Sequence, residues 1–124
     1  MEAMNNRLTL IVVLAWGTVA VSFLVFSLIV GGAAINGKVV GGHYYLGSHG
    51  NYPEVSRGVY LLSALLSAAF GLAFSAFAGV ITWHKSRKPT FHPVAWIGPA
   101  FAAVAGLAFV YLSIRSILNA LTVA

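Results

Sequence analysis

The residues best equipped for chemistry gather in one stretch, 36–56, NGKVVGGHYYLGSHGNYPEVS, which carries His43, His49, Glu54, Tyr44, Tyr45 and Tyr52. Imidazole and carboxylate ligate zinc or copper, and a histidine beside a tyrosine lines a quinone headgroup site. On residue type alone His43, Tyr45, His49 and Glu54 are therefore candidates for a cofactor site. Their spacing argues against it: His43-x5-His49-x4-Glu54 matches no metal motif. Histidine and tyrosine also serve as amphipathic belt residues where a membrane meets water, and we take that reading, with no cofactor and no metal expected.

What the remaining sequence lacks narrows the chemistry further. Asp, Glu, Lys, Arg and His are all missing from Leu8 to Ile35, from Gly58 to Trp83 and from Pro93 to Ile114. Proton relays, ion-coupled carriers and voltage sensors depend on ionisable groups at membrane depth. A haem in mid-membrane commonly takes a histidine ligand. The chain has no cysteine, which removes thiolate metal sites and thiol nucleophiles. No nucleophile–base pair, phosphate-binding loop or dinucleotide fingerprint is found, so an enzyme is not expected.

The elements that hold these residues are set by composition. Of 124 residues, 60% are hydrophobic and 7% charged, against about 25% charged in a soluble domain. The mean hydropathy of +0.91 agrees, and both place the chain in lipid as a single transmembrane domain, 1–124. The net charge of +5 does not signal nucleic acid, because Lys85, Arg87 and Lys88 crowd one short loop between apolar runs. That cluster is a topology signal that can also meet anionic headgroups.

The expected fold is all-α, with three transmembrane helices running up-down-up. Helix 1 covers about 8–35, longer than a bilayer needs. Arg7 and Gly31-Gly32-Ala33-Ala34 give this segment the outline of a signal peptide. Its apolar run far exceeds the usual h-region of about 7–15 residues, and an uncleaved span is expected. Helix 2 covers about 53–84, with Pro53 in its first turn and Glu54 at its positive end. Glu54 and Arg57 then share a face. Helix 3 covers about 93–120 and contains Pro99, which predicts a kink. Arg115 lies near the outer end of helix 3, where it snorkels or pairs with Glu54. The outer loop, 36–56, is ordered, with Val39-Val40 and His43-Tyr44-Tyr45 placed to pair as a short hairpin about Gly41-Gly42.

Small residues recur every fourth position on helix 2, at Ser63, Ser67, Gly71, Ser75 and Gly79, and again on helix 3 at Gly98, Ala102 and Gly106. Helices in lipid have no hydrophobic drive to associate, and small side chains allow the backbones to approach instead. These faces serve either packing within the chain or contact with other integral membrane proteins or copies of itself. The expected function is a non-catalytic accessory subunit that packs against larger membrane proteins. The alternatives are a self-assembled channel or carrier for neutral solutes and a quinone- or metal-binding accessory. The density of basic residues orients residues 85–92 and the N-terminus to the cytoplasm, and 36–56 and the C-terminus outside, in a bacterial inner membrane. His84 and His92 belong to the basic loop, across the membrane from His43 and His49.

Overall fold

The computed structural model describes residues 2–87 and 92–122, with side chains from Asn6 onward. Three long helices, α1 (Glu2–Val30), α2 (Arg57–Ser86) and α3 (Ile97–Thr122), carry most of the chain, and a 3-10 turn, Pro93–Trp96, leads into α3. All three are long and apolar enough to cross a membrane, over Asn6–Val30, Arg57–Ser86 and Pro93–Thr122. Between α1 and α2 lies a three-stranded antiparallel sheet, β1 (Ala33–Val40), β2 (His43–Gly47) and β3 (Glu54–Val55), in the order β1-β2-β3.

Helix α1 stops at Val30, short of the expected end near Ile35. Hydropathy runs on past this point, but Gly31 and Gly32 take φ values of +84° and +157°. Both amides then fold back on the Ser27 carbonyl, at 3.0 and 2.8 Å, which satisfies a helix end that has lost its next turn. Ala33, Ala34 and Ile35 are released into β1. The hairpin forms about Gly41-Gly42, with Val40 opposite His43, Val39 opposite Tyr44 and Lys38 opposite Tyr45. Positive φ at both turn residues suits the right-handed twist of the strands. A shift of register between Ala33 and Lys38 bulges β1 over the helix ends.

A second tight turn, His49-Gly50, returns the chain to β3, where Tyr44 pairs with Val55 and Tyr45 with Glu54. This corrects the expected start of helix 2. Pro53 and Glu54 precede the helix, and Ser56 caps it by accepting a hydrogen bond from the Val59 amide at 3.2 Å. Glu54 is therefore a strand residue and shares no helix face with Arg57. Pro99 lies close to the start of α3. It is third in α3, directly after the 3-10 turn, so its missing N–H falls in the first turn of the α-helix.

Helix α2 is central. The hydrogen bond between His84 and Thr9 and the stacked rings, Trp16 on Phe77 at 4.8 Å and Phe23 on Phe70 at 5.1 Å, set α1 antiparallel along one side. Helix α3 also packs on α2, and its Phe109 ring meets both Phe70 of α2 and Phe23 of α1. The sheet caps the ends of α2 and α3, and the buried cluster Ala34, Tyr44, Leu46, Tyr60, Ala64 and Ala120 forms the core at that junction.

Candidate functional site

Three groups of residues qualify, and the structure separates them. On the sheet, His43 Nδ1 meets the Glu54 carboxylate across β2 and β3, with both side chains more than half exposed. This is the one ion pair among the described residues, and it corrects the pairing of Glu54 with Arg115. His49 is turned away on the β2–β3 turn, where it adopts φ 46°, so its position answers to turn geometry. Tyr45 lies beside His43 with ring centroids 6.5 Å apart. Among the described residues no three His, Cys, Asp or Glu side chains come together in a way that could hold a metal ion. The arrangement is a hydrogen bond between two exposed side chains.

The second group is the small-residue strip, and it divides. Ser63 and Ser67 are buried. Ser63 Oγ accepts the Ala34 amide of β1 at 3.0 Å, and Ser116 Oγ of α3 donates to the Ala34 carbonyl at 3.2 Å. One residue of the sheet is thereby clamped by both helices. Lower down, Gly71 and Gly106 mark the closest approach of α2 and α3, and Ser75 Oγ donates to the Ala103 carbonyl at 3.2 Å. Ala102 is partly buried beside them. Gly79 and Gly98, by contrast, have nothing within 4 Å of the position a side chain would fill.

Gly79 belongs to the third group, at the end of the bundle away from the sheet. One cavity of about 370 Å³ opens between α2 and α3, walled by Gly79, Thr82, Trp83, Trp96, Pro99 and Ala100. A second, of about 410 Å³, opens on the α1 side of the same glycine, walled by Leu8, Ala76, Gly79, Val80, Trp83 and His84. Trp83 stands between the two clefts, with the Arg87 guanidinium 4.7 Å above its ring. Lys85 closes the last turn of α2, and Lys88 lies outside the described residues. By type and place at helix ends, Trp83 and Trp96 are also suited to an interfacial belt. Their role as cleft walls had one faint signal, a tryptophan beside the small-residue strip at each end of the basic loop. The clefts are apolar and suited to holding an apolar chain or helix.

Compared with known family models, curated proteins and solved structures, the chain matches none.

Proposed function

We propose that this chain is a non-catalytic subunit of a larger membrane assembly, docked by the face of α2 around Gly79. The observation that carries the proposal is the division of the strip. Ser63, Ser67, Gly71 and Ser75 are taken up inside the bundle, while Gly79 stays open between two apolar clefts. Small residues in lipid let another backbone come close, and at Gly79 none of the described residues does so. The occupant we assign is an apolar transmembrane helix of a different integral membrane protein. Helix α1 extends the available surface, since its apolar window contains no buried residue. The basic cluster orients the cleft end toward the cytoplasm of a bacterial inner membrane and the sheet toward the outside.

Purification in mild detergent followed by intact-complex mass analysis should recover other polypeptides in fixed ratio with this chain. Gly79→Leu should weaken that association by about 1–3 kcal/mol, enough for roughly a tenfold loss of partner, and leave the chain's own yield unchanged. Complexes made only of this chain would assign a self-assembled channel or carrier instead. A monomer whose behaviour ignores Gly79→Leu would overturn both. Sidedness has its own check: Ser48→Cys should react with an impermeant maleimide on intact cells, and Ser86→Cys only after permeabilisation. The reverse labelling would invert the assigned orientation.

A further inference from the structure

At the sheet end, a cavity of about 330 Å³ lies between β1 and the last turns of α3. Its lining includes Arg115, Ser116 and Asn119 from α3, Tyr60 from α2 and Lys38 from β1, with Leu112 on its apolar side. The charge around it is unbalanced. The chain has two acidic side chains, Glu2 and Glu54. Glu54 is engaged by His43, and Glu2 begins α1 at the opposite end of the bundle. Arg115 thus has no carboxylate partner among the described residues. Lys38 walls the cavity from β1, but its ammonium is held 4.4 Å from the Tyr52 ring centroid, outside the lining, which leaves Arg115 as the cation of the site.

Height in the bilayer identifies the counter-ion. Strands with unpaired edges are not tolerated against hydrocarbon, so the sheet marks the headgroup layer. Ser116 Oγ bonds to Ala34 of β1, and Tyr44 Oη donates to the Ala120 carbonyl at 3.3 Å. Arg115 therefore stands at the level where the sheet begins, with α3 continuing about 10 Å beyond it. At that level the abundant anion is lipid phosphate. A guanidinium offers a planar fork of donors that fits two phosphate oxygens, and Asn119 lies one turn away on the same face. Leu112, one turn nearer the membrane centre, lies where the glycerol and upper acyl carbons of a lipid would pass.

We propose that this cavity binds the phosphate of an anionic phospholipid headgroup, with Arg115 as its counter-ion and Asn119 as a second donor. The test uses the full chain in a non-ionic detergent, titrated with phosphatidylglycerol or phosphatidylcholine and followed by native mass spectrometry. Wild type should bind one phosphatidylglycerol with about tenfold preference over phosphatidylcholine, and Arg115→Gln should remove about that factor. Arg115→Lys keeps the charge without the fork and should lose only part of it. Arg57→Gln, an exposed cation at the same end outside the cavity, should change nothing. Equal binding of the two lipids, or an equal loss in Arg57→Gln and Arg115→Gln, would overturn the proposal. Glycerol phosphate binding as tightly as phosphatidylglycerol would overturn the lipid assignment in favour of a soluble phosphate ester. Should Arg115→Gln fail to fold, the Arg115→Lys and Arg57→Gln pair still decides the question.

Discussion

Gly71→Leu is expected to separate α3 from α2, with a loss of about 3 kcal/mol or more. A Cβ at Gly71 would stand 2.5 Å from the Gly106 carbonyl oxygen, 2.9 Å from Phe109 Cβ and 3.1 Å from Val110 Cγ2. On the facing helix, a Cβ at Gly106 would stand 2.7 Å from the Gly71 oxygen and run into Ser75 Oγ. Side-chain overpacking commonly costs about 1–3 kcal/mol because neighbours can rotate away. Here the obstacle is backbone, so the helices themselves must part. The loss then spreads, because helix association in lipid rests on close van der Waals contact with no hydrophobic drive behind it. Separation would also pull Ser75 from the Ala103 carbonyl. Gly79→Leu is the matched control, with the same residue change on the same helix and no described atom within 4 Å of the Cβ it would add. Denaturant or thermal unfolding in one mild detergent should show a large drop in midpoint for Gly71→Leu and almost none for Gly79→Leu. Equal midpoints would refute the assignment of Gly71 to intrachain packing. Gly71→Ala and Gly106→Ala should be non-additive, since each acts on the same crossing.

The contrast between those two glycines shows where sequence reading stops. Spacing by four identifies a face of α2 but cannot say how far along it a neighbour reaches, which depends on where α3 begins and how the helices cross. Uncharged runs mark the three long helices well, each of them long and apolar enough to cross a membrane. The end of α1 was hidden, since hydropathy continues through Ile35 while backbone torsion at Gly31 and Gly32 ends the helix. Gly41-Gly42 did announce the hairpin, because the local turn chemistry and the strand pairing agree. At Pro53 they conflict: a proline followed by an acid favours a helix start, and pairing of Glu54-Val55 with Tyr44-Tyr45 prevails. The polar cavity was the least legible feature. Arg115, Ser116 and Asn119 occupy one end of α3 in sequence, but their β1 wall comes from a distant segment that the expected helix 1 partly absorbed.

Leu46→Ala is expected to free the sheet from the bundle at a cost of about 2–5 kcal/mol. Leu46 is 0% exposed and packs with Ala34, Tyr44, Tyr60, Ala64 and Ala120, most of which are too small to close the space it would leave. Its backbone amide is already committed to the Pro53 carbonyl at 3.0 Å, so β2 cannot shift to refill the gap without losing β3. Unlike the helix contacts, this junction is expected at the headgroup layer on the reading proposed above, so that detaching the sheet would expose apolar surface to water and the hydrophobic effect would oppose it. The strands are short, and such a sheet is marginal without the helices beneath it. Loss of the Leu46 anchor should therefore open β1, β2 and β3 together. Amide hydrogen exchange at Tyr44 and Tyr45 should speed up about thirtyfold or more, while exchange in the middle of α2 stays unchanged. Leu28→Ala removes the same atoms from a position 82% exposed on α1 and should leave sheet exchange as it was. If the two substitutions act alike, Leu46 does not anchor the sheet, and the hydrogen bonds from Ser63, Ser116 and Tyr44 must hold it to the helices.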